Sequence, residues 1–141
     1  MRKAFIQAND KQLLGAKLAK YAIERHTPGL PVEIINVDRE PMFRAFAGKT
    51  YLRDGRTLTY DPNDLQSFTL TRFLPPERMG YQGTAIVIDP DIFTLVSLEG
   101  LFAYGTDDKA IAACVKKDAW DSSVMLLECA KLAHLKVGEW L

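Results

Sequence analysis

A chain of 141 residues is long enough for one domain with a real core, and its 18 Lys and Arg balance 18 Asp and Glu. Zero formal net charge, with no basic run or stripe, argues against nucleic acid or an anionic membrane surface as a partner. No apolar stretch approaches the roughly 18 residues of a membrane span, and Met1-Arg2-Lys3-Ala4-Phe5 runs straight into a strand-like segment, so the cytoplasm is the default location.

Ala4 to Ala8 reads as a first strand, and Asn9-Asp10 as the cap of the helix after it. From Lys11 to His26 the positions Leu14, Leu18, Ala19, Ala22 and Ile23 are expected on one buried face, with Lys17, Lys20, Glu24 and Arg25 in water. Thr27-Pro28-Gly29 stops the helix, and Val32 to Val37 is a second strand, which makes the opening a βαβ unit. The Asp54-Gly55 pair inside 51–58 points to a small hairpin. Asp64 to Phe73 is expected as a helix broken by Pro75-Pro76. Thr84 to Ile88, Ala110 to Val115 and Ser123 to Leu127 are further strands, Leu98 to Tyr104 a short helix, and a last helical segment starts at Glu128. This alternation predicts an α/β fold with a mostly parallel sheet and flanking helices, in a single domain over 1–141.

The minor features read more plainly. Phe43, Phe46, Tyr51 and Tyr60 could stack on a base or an acceptor sugar, but aromatics in such a region more often pack it onto the core, which is the expectation here; Trp120 and Trp140 are expected to be core or edge residues. Lys116-Lys117-Asp118 and Tyr81-Gln82-Gly83 read as turns. Cys114 and Cys129, isolated among apolar neighbours, are expected as buried thiols rather than a disulfide. Two histidines, His26 and His134, exclude a histidine-rich metal site.

Asp89-Pro90-Asp91 closes the apolar run 85–88. Two carboxylates one residue apart at a strand end, on a turn stiffened by proline, can hold one divalent cation. Carboxylate oxygens are hard donors, so Mg²⁺ or Mn²⁺ is expected, ions that usually act on phosphates. The plainer alternative is that Asp-Pro-Asp simply ends a strand.

Four stretches, in this order, resemble the nucleotide-sugar-dependent glycosyltransferases of the GT-A (Rossmann-like) fold, particularly the glycogenin-like family 8 group. Phe5-Ile6-Gln7-Ala8-Asn9-Asp10 resembles that family's first strand and nucleotide-binding turn. Leu70-Thr71-Arg72-Phe73-Leu74-Pro75-Pro76-Glu77 resembles its arginine helix, and 85–91 its strand and DxD motif. Trp120-Asp121-Ser122-Ser123-Val124-Met125-Leu126-Leu127-Glu128-Cys129 resembles its FNSGVLLIN segment. The resemblance implies a transferase that moves a sugar from a nucleoside diphosphate sugar to an acceptor. It implies Gln7, Ala8 and Asn9 at the nucleotide, Arg72 at the donor sugar and diphosphate, and Asp121 and Ser122 at donor-sugar hydroxyls. Asp89 and Asp91 would be the metal ligands, with Asp89 also near the ribose. Each has a plain alternative: a helix cap for Asn9, an exposed helix arginine for Arg72, a polar turn for Asp121-Ser122.

Two departures stand out. Asp121, Ser122 and Ser123 occupy places where the family usually has Asn, then Ser or Ala, then Gly. The resemblance also stops at Leu141, whereas family members run on for roughly another hundred residues, a length within the usual domain range. A third metal ligand, a Lys-Pro-Trp-like stretch and much of the acceptor site would lie in that part. A C-terminally short sheet is expected to leave apolar surface that a homodimer would cover. Two alternatives stay open: a phosphatase of the haloacid dehalogenase type, with Asp89 as nucleophile, and a non-catalytic nucleotide-sugar-binding scaffold. In the phosphatase family the motif lies on the first strand, with Thr or Val at the place of Phe93.

Overall fold

Arg2–Ala8 forms β1, and a 3₁₀ turn at Asp10–Gln12 leads into α1, Leu13–His26. The computed structural model describes residues 1–53, 55–117 and 119–140. Asp54 of the expected Asp-Gly turn, Asp118 of the expected Lys-Lys-Asp turn, Leu141 and the Trp140 side chain lie outside the described residues. The chain continues through β2 (Val32–Asn36), α2 (Pro41–Phe46), β3 (Thr50–Arg53), β4 (Arg56–Thr59), a 3₁₀ segment (Ser67–Phe73) and α3 (Pro75–Arg78). It ends with β5 (Thr84–Ile88), α4 (Glu99–Tyr104), β6 (Ile111–Lys116), β7 (Ala119–Glu128), a 3₁₀ turn (Cys129–Leu132) and α5 (Val137–Trp140).

Five strands form one sheet in the order β2-β1-β5-β7-β6, and β3-β4 is a separate antiparallel hairpin. β1 pairs in parallel with β2 and β5, β7 runs antiparallel to β5, and β6 antiparallel to β7. Only β7 therefore opposes the common direction, and the mostly parallel α/β sheet is as expected. In the centre of such a sheet, buried on both faces, a strand is nearly all apolar; β5, Thr-Ala-Ile-Val-Ile, fits that position.

Alternation along the strands sorts side chains between two cores. Ala4, Ile6 and Ala8 of β1 and Ile86 and Ile88 of β5 pack with Ala16, Ala19 and Ile23 of α1. Phe5, Val87 and Leu127 face the other way, onto Phe43, Phe46, Tyr60, Phe68, Leu74 and Met79. The site grows on that second face, because Gln7 and Asp89 share the parity of Phe5 and Val87.

Several local expectations need correction. On α1, Leu14 and Leu18 are 73% and 53% exposed, while Ala16, Ala19 and Ile23 are buried. Small residues let α1 lie close to the sheet, so it packs through alanines and turns its leucines outward. Residues 67–73 form a 3₁₀ segment rather than an α-helix, and Pro75-Pro76 open α3 instead of ending a helix. Proline suits a first helical turn, where its missing N–H would lack a partner in any case. Cys114 is exposed on the edge strand β6, whereas Cys129 is buried as expected. Trp120, expected as a core or edge residue, is 73% exposed near the start of β7, so of the two the core reading falls. Phe43, Phe46 and Tyr60 do pack the irregular region onto the sheet, with Tyr51 edge-on to the Tyr60 ring. Among the described residues no helix is long and apolar enough to cross a membrane.

Candidate functional site

The carboxyl ends of β1 and β5 and the start of β7 meet at one edge of the sheet, where open α/β folds bind ligands. Ile88 lies opposite Val124, and beyond that pair the Asp89 N–H donates to the Ser123 carbonyl at 3.0 Å. On the β6 side the register breaks. The partner of Ala113 is Met125 and that of Cys114 is Asp121, so Ser122, Ser123 and Val124 have no partner on β6. Such a bulge bends a strand and re-aims its side chains. Here it delivers Asp121, Ser122 and Ser123 to the site.

Gln7, Arg72, Asp89 and Ser122 are joined directly. The Gln7 amide donates to Asp89 Oδ1, and Arg72 Nη2 stands 3.6 Å from the same oxygen. Arg72 Nη1 donates to the Ser122 hydroxyl. Asp121 completes the group, its Oδ1 accepting from the backbone N–H of Ser123 at 3.0 Å and from the Ser123 hydroxyl. Arg72 Nε and Gln7 Oε1 are buried without a hydrogen-bond partner among the described residues.

The charges are tightly linked. Burial pushes the Asp89 carboxyl above its ordinary value, Arg72 and Gln7 pull it back, and the nearby Asp91 and Asp121 charges push it further up. Burial lowers the Arg72 pKa, against Asp89, with the charge of Arg53 adding to the lowering. The Ser123 hydroxyl and N–H hold Asp121 below the usual carboxylate range, with smaller help from Lys116 and Arg72.

A cavity of about 500 Å³ opens beside this group. Arg72, Asp89, Asp121 and Ser122 line it, with Tyr51, Arg53, Gln66, Lys116 and Trp120 on the outer wall. Gln7, Ala8 and Asn9 do not: all three are at most 2% exposed. Gln7 acts behind Asp89, and Ala8 packs against α1. Asn9 is the helix cap, accepting from the Gln12 N–H at 3.1 Å, and its amide donates to Leu65 O at 3.0 Å and Ser67 Oγ at 3.2 Å. Asp91 is exposed and lies outside the lining.

Sequence reasoning missed Arg53, Gln66 and Lys116 as site residues, and read Tyr51 and Trp120 chiefly as packing. It also missed Gly15, whose Cα lies against the Pro90 carbonyl. The Asp-Gly pair signalled the hairpin that carries Tyr51 and Arg53, but nothing local showed where the hairpin would dock.

The sequence matches no family model and no curated protein. Solved structures do resemble the fold. The galactosyltransferase LgtC, solved with donor and acceptor sugar analogues, aligns with a TM-score of 0.65 at 16% identity, over 99% of this chain and 62% of its own. The glycosyltransferase GlyE of Streptococcus pneumoniae TIGR4, in its apo form, aligns at 0.66 and 16%, over 99% of this chain and 37% of its own. Mouse xyloside xylosyltransferase 1 aligns at 0.58 and 12%, over 95% of this chain and 69% of its own.

The fold is that of GT-A glycosyltransferases. At these identities the likeness is one of architecture, and the chain spans 62% of LgtC and 37% of GlyE.

Proposed function

We propose that this chain binds a nucleoside diphosphate sugar and forms the donor side of a metal-dependent glycosyltransferase of the glycogenin-like family 8 kind. The observation that carries the reading is Asp89. It ends the central strand of a glycosyltransferase-type sheet, is held by Gln7 and Arg72, and opens onto a cavity sized for a small ligand.

A hard divalent cation suits the donor set. Both contacts to Asp89 fall on Oδ1, so its other oxygen and the Asp91 carboxylate have no protein partner among the described residues. Asp91 and Asp121 also crowd Asp89 with like charge, which a cation relieves. Asp89 and Asp91 would hold Mn²⁺ or Mg²⁺. Among the described residues no cluster of three His, Cys, Asp or Glu side chains is arranged to hold a metal, so diphosphate oxygens and water would complete the shell. A bound cation would supply Lewis-acid stabilisation to the departing diphosphate.

The chain's own residues then divide the work. As the bond from the sugar to the β-phosphate breaks, negative charge grows on the leaving diphosphate. Arg72 offers it a permanent positive charge with forked donors. Gln7 fixes the orientation of Asp89, and Asp121 and Ser122 offer acceptor and donor groups to sugar hydroxyls. The acceptor hydroxyl oxygen forms the new bond to the sugar carbon, and its proton passes to the departing diphosphate.

The test is Mn²⁺-dependent binding of a panel of nucleoside diphosphate sugars, read by thermal shift and calorimetry. Asp91→Asn and Asp89→Asn should each remove the metal-dependent part of binding and leave the fold intact. Binding indifferent to Mn²⁺ and to both substitutions would sink the reading. Hydrolysis of simple phosphate esters that depends on Asp89 would favour a phosphatase instead.

A further inference from the structure

β6 closes one side of the sheet. Among the described residues it pairs with β7 alone, so its other edge carries a row of backbone groups that no strand takes up. The ladder shows which they are. The Glu128 N–H donates to the Ala110 carbonyl at 2.9 Å, and hydrogen bonds alternate along an antiparallel pair. Ala110 and Ala112 therefore turn toward β7, and Ile111, Ala113 and Val115 turn their N–H and C=O groups to the open edge. The register break at Ala113/Cys114 places its extra residues on β7, so β6 itself runs on without an insertion. Nor does β6 carry the usual guards of an open edge. From Ile111 to Val115 it holds no proline and no charge, and Val115 is 64% exposed beside the exposed Cys114.

The flanks of the strand say what fits it. Asp107-Asp108 stand before β6 and Lys116-Lys117 at its end, with Lys109 and Asp118 tempering the contrast. These charges are already engaged: Asp108 pairs with Lys109 at 2.7 Å, and Lys116 acts on Asp121 in its own chain. As exposed groups they would add little affinity across an interface. Their order still selects a direction. A parallel copy would set acid on acid and base on base, whereas an antiparallel copy sets the acidic start against the basic end at both ends at once. The strand is its own complement.

We infer that β6 is a self-association edge, which pairs antiparallel with β6 of a second copy about a two-fold axis at Ala113. In this register Ile111 faces Val115 of the second copy, so the edge-facing groups of 111, 113 and 115 are all used and the exposed Val115 gains a β-branched partner. Lys116 lies diagonal to Asp108 of the second copy, within reach of a long side chain. The neighbouring registers do worse. An axis at Ala112 sets Val115 against Lys109, whose N–H and carbonyl are taken by Thr106 and Lys131. An axis at Cys114 sets Ile111 against Lys117, which has turned away with φ 57°. The pairing also reaches the site. Lys116 lines the cavity, so the 107–109 turn of the second copy comes to stand beside the cavity mouth. None of this depends on the donor reading proposed above.

The experiment follows the mass of the whole chain against concentration by analytical ultracentrifugation. One strand pair buries little area, so the dimer should be weak and reversible, with mass rising as the protein is concentrated. Ala113→Pro removes an edge-facing N–H and spares the β7 ladder, and it should hold the chain monomeric with an unchanged circular dichroism spectrum. Should the proline unfold β6, Val115→Lys gives the same readout from an exposed side chain. It should weaken the dimer about tenfold, since symmetry removes two cross-strand pairs. Cross-linking reads the register. Ala112→Cys faces Cys114 of the second copy and should form an intermolecular disulfide under mild oxidation. Wild type should not, because two Cys114 residues stand diagonally, too far apart for the bond. Wild type that stays monomeric up to about 1 mM, where even weak association shows, would overturn the inference. So would a dimer that neither Ala113→Pro nor Val115→Lys disturbs. Ready formation of a Cys114–Cys114 disulfide in wild type would overturn the axis at Ala113.

Discussion

Gly15, near the start of α1, lies so close to the Pro90 carbonyl that a Cβ would stand 2.8 Å from the oxygen. Glycine inside a helix costs about 0.5–1 kcal/mol relative to alanine. At an open helical site Gly15→Ala would therefore stabilise. Here the obstacle is backbone, which cannot rotate away, and it belongs to the turn that presents Asp89 and Asp91. Gly15→Ala is expected to destabilise by about 1–3 kcal/mol, as overpacking does, and to weaken Mn²⁺-dependent donor binding. Thermal melts and donor titrations check both. A more stable variant with unchanged binding would show that the helix and turn are not held in this register.

The sequence made much of the frame legible, and for physical reasons. The ends of β5, Thr84 and Ile88, are legible because an apolar run closed by Asp-Pro leaves little choice of ends. The βαβ opening and the hairpin followed from period and turn chemistry. The buried face of α1 is not legible in the same way, because Leu14 and Leu18 share the four-residue spacing of Ala19 and Ile23, and size alone favours leucine inside. Close packing on the sheet favoured alanine. Within the site, Arg72, Asp89, Asp121 and Ser122 were named from motifs that place them. Arg53, Gln66 and Lys116 carry no motif and join the cavity through the docking of a hairpin and a bulge in β7, both set by contacts distant in sequence.

Arg72 is held by geometry as well as charge, bonded to Ser122 and 3.6 Å from Asp89, and the donor reading proposed above would use both. Lysine keeps the charge but cannot serve both partners with a planar fork. Arg72→Lys is expected to weaken donor binding about tenfold or more, from the loss of one charge-assisted hydrogen bond. Arg72→Ala should weaken it further and also lower stability, by less than the roughly 3–5 kcal/mol of breaking a fully buried pair, since both side chains retain some exposure. Calorimetry on the three proteins decides. Lysine and alanine variants that bind like wild type would return Arg72 to a purely structural part.

The two thiols should differ sharply. Cys114 is exposed on the edge strand, whereas Cys129 is buried, and burial with the nearby Glu128 pushes its pKa up to about 11. Thiolate is the reactive form, so a disulfide reagent at pH 8 should label one thiol quickly in the native protein and the second only on unfolding. Mass spectrometry of the labelled peptides identifies which. Rapid labelling of Cys129 under native conditions would mean that the C-terminal 3₁₀ turn opens readily.

Tyr60 gives a pH dependence with a definite sign. Its ring is 4% exposed, tilted against Phe43 and Phe46, and its hydroxyl donates to the Ser67 carbonyl at 3.2 Å. Burial chiefly, with the charge of Asp38, pushes the phenol from 10.0 up to about 12. Below pH 10 both folded and unfolded forms keep the proton, and Tyr60 adds no pH dependence. Between pH 10 and 12 the unfolded chain loses the proton while the folded one keeps it, so the unfolded state binds fewer protons and stability falls as pH rises. The loss reaches about 2–3 kcal/mol across the window. Tyr60→Phe removes this term and, at neutral pH, gives up one hydrogen bond of about 1 kcal/mol. Urea unfolding at pH 8 and pH 11 should therefore show the variant less stable at the lower pH and a smaller gap, or a reversal, at the higher one. A constant difference between the two proteins at both pH values would mean that the phenol ionises as easily in the fold as in the open chain, and that the aromatic cluster beneath the hairpin is open to water.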